Sequence, residues 1–124
     1  MGDRKKALVT GAGSGIGRSA AITLARAGYD VGINYSANDA AAAETAAEAR
    51  RHGAKALLLK CDVSDEAGVV AMLKTVEAEF GRLDALVNNA GTTAPWKLRD
   101  LDSISLADWD RVFAVNVRGM FQVT

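Results

Sequence analysis

Apolar residues fall into four short unbroken runs, each followed by a stretch in which they recur every third or fourth position. The runs are KALVT (6–10), YDVGINY (29–35), AKALLLKC (54–61) and LDALVN (83–88). An unbroken run predicts a strand covered on both faces, since a strand with one wet face alternates apolar and polar positions. After the first run, Ile16, Ala20, Leu24 and Ala27 share one helical face, and Gly28 supplies a stop. Asn38 is placed to cap an Ala-rich helix over Asp39–His52, ended by Gly53. Ser64 is the expected cap of a third helix, with Asp65 and Glu66 complementing the dipole in its first turn. Its buried stripe is expected to be Val69, Leu73, Val76 and Phe80, with Gly81 as the stop. After an irregular loop through Pro95 and Trp96, a last helix is expected from about Ser105, with Trp109, Val112, Phe113, Asn116 and Met120 on one face.

Strand and helix thus alternate four times, which predicts an α/β fold: a parallel sheet with helices on both faces. No repeat, linker or shift of composition divides residues 1–124, so a single domain is expected. The last helix has no stop signal, and the chain reads as cut rather than finished.

Composition narrows the function classes. Hydrophobic residues at 49% and charged residues at 24% match a folded soluble chain. Fifteen basic and fifteen acidic side chains cancel, so no general field favours nucleic acid or an anionic membrane. The apolar run near the N-terminus is too short for a signal peptide or a membrane span, and a cytoplasmic location is expected. Cys61 has no second cysteine to pair with and reads as a small buried residue. His52 is the sole histidine, and no spacing of His and Cys suggests a metal site.

The chemistry-bearing stretch is LVTGAGSGIG (8–17), a glycine-rich loop between the first strand and the first helix. In a parallel α/β unit this loop lies at the carboxyl ends of the strands, where such folds bind ligands. A helix starting near Gly15 would offer unpaired N–H groups and a partial positive charge to a phosphate. A Walker-type loop would end in Lys followed by Ser or Thr, whereas Gly17 is followed by Arg18 and Ser19. The G-x-G-x-x-G fingerprint does not fit either. The spacing is T-G-x-x-x-G-x-G, on Thr10, Gly11, Gly15 and Gly17.

Here the chain resembles the short-chain dehydrogenase/reductase family. That family also shows an acid after the third strand, N-N-A-G after the fourth, and an asparagine in the following helix. The corresponding residues are Asp62-Val63, Asn88-Asn89-Ala90-Gly91, and Asn116 within AVNVRG. The resemblance implies a Rossmann-type doubly wound sheet, incomplete here with strand order 3-2-1-4, forming the N-terminal part of a longer single-domain enzyme. It implies that Gly11, Ser14, Gly15, Ile16 and Gly17 line the pyrophosphate and adenosine ribose of a nicotinamide dinucleotide. Asp62 would accept from the adenine amino group with the Val63 backbone beside it. Asn89, Ala90 and Gly91 would pass along the ribose, and Asn88 would pin the strand end. Asn116, expected to be at least partly buried, would open its helix locally and hold a water in a proton relay to a catalytic lysine. Cofactor preference turns on the end of the second strand, where a carboxylate would bond the 2′-OH of NAD. Tyr35 and Ser36 stand there, with no acid before Asp39. NADP(H) is therefore favoured, with NAD(H) possible.

The family's general acid is a tyrosine followed four residues later by a lysine. Tyr29 is followed at that spacing by Ile33 and Tyr35 by Asp39, so this chain lacks the pair and is expected to be inactive alone. Within the family the motifs look most like 3-oxoacyl-[acyl carrier protein] reductases and their close relatives, including sugar dehydrogenases, which implies a small carbonyl or alcohol substrate, contacted in part by the loop around Trp96. It also implies a homo-oligomer, a homotetramer, at full length. A truncated non-catalytic dinucleotide-binding module is the rival reading. An S-adenosylmethionine-dependent methyltransferase also uses a glycine loop after its first strand, but would leave Asn88-Asn89-Ala90-Gly91 without a purpose.

Overall fold

In a computed structural model, residues 3–94 and 99–124 are described. Four parallel strands, β1 (Lys5–Val9), β2 (Tyr29–Tyr35), β3 (Ala56–Lys60) and β4 (Ala85–Val87), form one sheet in the order β3-β2-β1-β4. Register runs from Lys5 opposite Tyr29 to Val9 opposite Ile33, and Tyr35 stands opposite Lys60. Consecutive residues Ala7, Leu8 and Val9 have no exposed surface, as a strand covered on both faces requires. Burying a side chain such as Leu8 contributes about 1.5–3 kcal/mol.

Two cores result. On one face α1 (Gly15–Arg26) and α2 (Asp39–Arg51) cover Ala7, Val9, Val31 and Ile33 with small residues such as Ala21, Ala25, Ala46 and Ala49. On the other, α3 (Glu66–Phe80) and the C-terminal helix bring Val69, Met72, Val76, Phe80, Val115 and Val123 against Leu8 and Leu59. That last helix has three parts: α4 (Leu106–Phe113), a wide π-helical turn (Ala114–Gly119) and α5 (Met120–Val123). A single 3₁₀ turn, Leu101–Ser103, precedes it.

β3 and β4 fall inside their predicted runs, β2 matches its run residue for residue, and β1 starts one residue before its run, at Lys5. Asn38 and Ser105 cap α2 and α4 as expected, accepting from the N–H groups of Ala41 and Asp108. The helix faces differ more. In α1 the buried positions are Gly17, Ala21 and Ala25, one residue beyond the expected stripe, and Ile16 is 80% exposed. The cause is close approach: a Cβ on Gly17 would lie 2.1 Å from the Gly11 carbonyl oxygen, so the helix turns its smallest residues to the loop. In α3 Met72 is buried and Leu73 only partly so. Its cap position is Asp65, because the Ser64 hydroxyl is spent on Asp62.

The C-terminal helix departs furthest. Its buried residues are Val115, Gly119 and Val123, while Trp109, Phe113 and Met120 are about half exposed and Asn116 is exposed. The expectation of a partly buried Asn116 is therefore corrected. The π-helical turn widens the helix between Ala114 and Gly119, so facing positions recur every fourth residue across it and not at the spacing of an unbroken α-helix.

Candidate functional site

The carboxyl ends of β1, β2, β3 and β4 converge on the glycine loop, and a hydrogen-bond network fixes that loop from two sides. From β4, Thr10 Oγ1 accepts from the N–H groups of Asn89 and Ala90, both at 3.0 Å. Asn89 Nδ2 donates back to the carbonyls of Thr10 and Gly11, each at 3.2 Å. From β2, the Asn34 amide oxygen accepts from the Gly11 N–H at 3.2 Å, and its Nδ2 donates to the carbonyls of Leu59 and Cys61 at 3.0 and 3.1 Å. Asn34 is 1% exposed, so every one of these bonds replaces water that the group has lost.

Thr10 and Asn34 had no role assigned from sequence. For Asn34 a signal existed: a polar side chain inside the apolar run VGINY must find buried partners. Asn88, expected to pin the strand end, instead donates to Thr124 Oγ1 at 3.0 Å, and Asn89 does the pinning.

The pinned loop leaves its backbone open to a ligand. Gly11 has φ +63°, and a Cβ there would come within 2.9 Å of Ala90 Cα. At Gly15, φ +56°, an added Cβ meets nothing within 4 Å. Ser14 occupies the N-cap position of α1 without a side-chain cap bond, so N–H groups of the first turn stay available to an anion. Bare backbone beside a helix N-terminus is what a pyrophosphate needs, and the residues present fit one.

Two clefts flank the loop. The larger, about 430 Å³, is lined by Gly11, Gly13, Ser14, Tyr35, Ser36, Asn38, Asn89, Ala90 and Gly91 among others. The smaller, about 130 Å³, is lined by Gly11, Asn34, Ser36, Cys61, Asp62, Val63, Thr92, Arg111 and Val115, with Ala90 and Gly91. Gly11, Ser36, Ala90 and Gly91 belong to both, so the clefts join into one elongated site. Of the residues singled out in the sequence, Gly11, Ser14, Tyr35, Ser36, Asp62, Val63, Asn89, Ala90 and Gly91 are brought together there. Gly15, Ile16 and Gly17 form the adjoining first turn of α1 rather than the cleft walls. Trp96 lies outside the described residues.

Charge in the site is concentrated on the Asp62–Arg111 pair. Partial burial works against the ionisation of Asp62, but the Ser64 hydroxyl and N–H and the Arg111 guanidinium hold its carboxyl below the usual range. At the end of β2, partial burial and the neighbouring Asp39 carboxylate push the Tyr35 phenol up. Lys60, 3.2 Å from Asp39, holds that acid down, with a further bond from Tyr35. Burial also pushes the Cys61 thiol up, and its side chain forms part of the wall of the smaller cleft.

Asn116 is exposed in the π-helical turn. Its Oδ1 accepts from the Thr92 N–H at 2.7 Å and its Nδ2 donates to the Thr92 carbonyl at 3.0 Å. The side chain therefore ties the C-terminal helix to the segment following β4. Among the described residues no group of His, Cys, Asp and Glu is placed to hold a metal ion.

The family model described as short chain dehydrogenase matches residues 5–124. A 3-oxoacyl-[acyl-carrier-protein] reductase FabG of Staphylococcus aureus is 41% identical over 117 residues, 94% of this chain and 46% of the relative. Elsinochrome reductase 1 of Elsinoe fawcettii is 41% identical over 122 residues, 98% of this chain and 44% of the relative. Among solved structures, a short-chain dehydrogenase/reductase from Burkholderia xenovorans superposes with a TM-score of 0.93 at 33% identity, over 100% of this chain and 51% of the other. One from Serratia marcescens, an F98L/F202L mutant, gives 0.89 at 35% identity, over 98% and 48%. The chain spans about half the length of these relatives. Sequence, strand order and superposition agree, and the chain belongs to the short-chain dehydrogenase family.

Proposed function

We propose that this chain is the cofactor-binding part of an NADP(H)-dependent oxidoreductase acting on a carbonyl or hydroxyl carbon, in the manner of a 3-oxoacyl reductase. The observation that carries the reading is the elongated double cleft joined over Gly11, Ser36, Ala90 and Gly91, beside the open N-terminus of α1. The dinucleotide, when bound, supplies or takes the hydride. Gly11, Ser14 and the first turn of α1, Gly15 to Gly17, hold its pyrophosphate by backbone N–H groups. Asp62 and Val63 receive the adenine, and Asn89, Ala90 and Gly91 follow the ribose toward the reacting end.

Preference for NADP(H) over NAD(H) is supported by what lines the clefts. Among the described residues the larger cleft has no acid in its walls, and Ser36 offers a hydroxyl where the clefts join. Asp39, the nearest acid after β2, is engaged by Lys60. A 2′-phosphate would meet no unpaired carboxylate at that junction. Arg111 is the one cation among the described cleft walls, and it is tied to Asp62, so the preference rests on absent repulsion more than on attraction.

In this reading Asn116 serves a proton relay through its backbone carbonyl, with its side chain anchored on Thr92 so that the π-helical turn is held open. The relay's lysine and the acidic tyrosine belong to a longer chain. Neither tyrosine here replaces that acid: Tyr29 has Ile33 and Tyr35 has Asp39 where the lysine would stand, and the Tyr35 phenol is pushed up rather than down. The full-length protein is read as a cytoplasmic homo-oligomer, a homotetramer, working on a small carbonyl or alcohol substrate. No helix among the described residues is long and apolar enough to cross a membrane.

Gly15→Ala tests the site directly. The new Cβ has room in the free protein and would occupy space that the pyrophosphate needs. Its left-handed backbone costs about 1–2 kcal/mol of stability, which leaves a folded chain to assay. Fluorescence titration with NADPH is expected to show affinity reduced at least about tenfold, the scale of one lost charge-assisted contact. Equal affinity in both forms would remove the glycine loop from the site.

A further inference from the structure

Asp62 belongs to a closed ring of side chains. Its Oδ1 accepts from the Ser64 N–H at 2.9 Å and from Ser64 Oγ at 2.7 Å. Its Oδ2 lies 2.9 Å from Arg111 Nη2, and Arg111 Nη1 donates to Ser64 Oγ at 2.9 Å. Both terminal nitrogens of the guanidinium are engaged, which fixes its plane against the acid. Arg111 and Asp62 both wall the smaller cleft, with side-chain exposures of 52% and 38%, so the pair stands at the cleft's mouth and not in its floor.

A carboxylate offers about four acceptor sites. Ser64 takes two and Arg111 one, leaving a single site on Oδ2, directly beside a guanidinium that still has unused N–H groups. The Asn34 amide, also in this wall, has both ends committed to backbone. The side chains of Val63, Ala90 and Val115 are apolar, and Ser36 and Thr92 offer only neutral hydroxyls. The charged groups that can read the edge of a purine are therefore the Asp62–Arg111 pair, with the Val63 backbone beside it.

A lone carboxylate at this position would accept from the 6-amino group of adenine and repel the 6-oxo group of hypoxanthine. Arg111 changes that in two ways: it offsets much of the negative field, and it offers an N–H donor to an oxo group. We propose that Arg111 is a specificity-determining residue of the purine pocket, which makes the pocket accept 6-amino and 6-oxo purine dinucleotides alike. This rests on the reading of the smaller cleft as the adenine site.

The test is fluorescence titration of the chain with NADPH and with its reduced hypoxanthine counterpart. In the parent, the two dissociation constants are expected to agree within about tenfold. In Arg111→Ala the hypoxanthine form is expected to weaken by a further factor of about ten, the scale of one mispaired polar group, while NADPH changes little. Ser64→Ala, which frees Arg111 from one of its two partners, should move the ratio the same way by less, and serves if the arginine variant does not fold. Circular dichroism establishes folding of each variant. An unchanged ratio in folded variants overturns the role of Arg111, as does a parent that already rejects the hypoxanthine form by about a hundredfold. Failure of the parent to bind either dinucleotide overturns the cofactor reading itself, and this inference with it. Binding of both forms that is lost in Asp62→Ala keeps the cofactor reading whichever way Arg111 falls.

Discussion

Tyr35 and Ser36 are adjacent in sequence but do different work at the end of β2. Tyr35 points its hydroxyl to Asp39, which Lys60 engages, whereas Ser36 is exposed and walls both clefts. A carboxylate introduced at position 35 would stand beside Asp39 and be drawn into that cluster. One at position 36 would face the ligand. Ser36→Asp is therefore expected to shift preference from NADPH toward NADH by at least about tenfold, through repulsion of the 2′-phosphate and a bond to the free 2′-OH. Paired titrations of the two cofactors measure it, and a parent that already binds NADH tenfold tighter would overturn the NADP(H) assignment. The pattern of residues singled out in the sequence was legible at this scale because motif residues sit at the ends of strands, where composition changes abruptly. Arg111 was not legible. Its reach to Asp62 depends on how the C-terminal helix lies across the segment after β3, which no local pattern encodes.

Elements were legible in their existence and order, and less so in their rotation. β2 ends where its apolar run ends because both neighbours bury it. Helix faces depend on contact distance as well as periodicity, so α1 presents Gly17, Ala21 and Ala25 to the sheet and leaves Ile16 outside. One element-scale feature carries a pH dependence. Asp30, 6% exposed at the amino end of β2, is bonded by Lys6 at 2.6 Å and Arg4 at 3.0 Å and accepts from the Lys55 N–H at 2.9 Å. Burial works against its charge, yet Lys6, the Lys55 N–H and Arg4 together hold its carboxyl below the ordinary 3.8. The folded form thus binds its proton later than the unfolded chain. The resulting stability is complete above that ordinary value and is lost as pH falls through the folded one. Melting temperature should therefore drop steeply below about pH 4. Asp30→Asn should cost about 2–4 kcal/mol at pH 7, because it leaves Lys6 without its partner, and should flatten the acid limb. Asp62 and Asp84 are shifted in the same direction, so some acid sensitivity should persist. An acid limb of unchanged slope in the variant would show that Asp30 does not carry this effect.

At the scale of the molecule, the described chain combines the double cleft proposed to take the cofactor with surfaces of another kind. β4 is a three-residue edge strand paired on one side to β1. Trp109, Phe113, Val117 and Phe121 recur every four residues along the C-terminal helix and line an open apolar groove of about 710 Å³, with the Trp109 and Phe113 rings stacked at 4.9 Å. That groove lies apart from the glycine loop, and its position does not make it the reaction centre. On the proposed reading the chain holds the means to bind and orient a dinucleotide, together with Asn116 anchored on Thr92. What it lacks is the acid: Tyr29 and Tyr35 have Ile33 and Asp39 where a lysine is needed. General acid–base catalysis is typically worth about 10²–10⁴-fold. The 124-residue chain is therefore expected to bind NADPH and yet to show turnover near background on ketoesters and diketones. A longer chain carrying Tyr-x-x-x-Lys should consume NADPH on at least one member of that panel, and replacing Asn116 in it should slow turnover more than it weakens NADPH binding. Robust turnover by the short chain would mean that its own residues supply the proton, contrary to the roles assigned here. Silence from the longer chain across the panel, with NADPH binding intact, would favour a dinucleotide-binding module over a reductase.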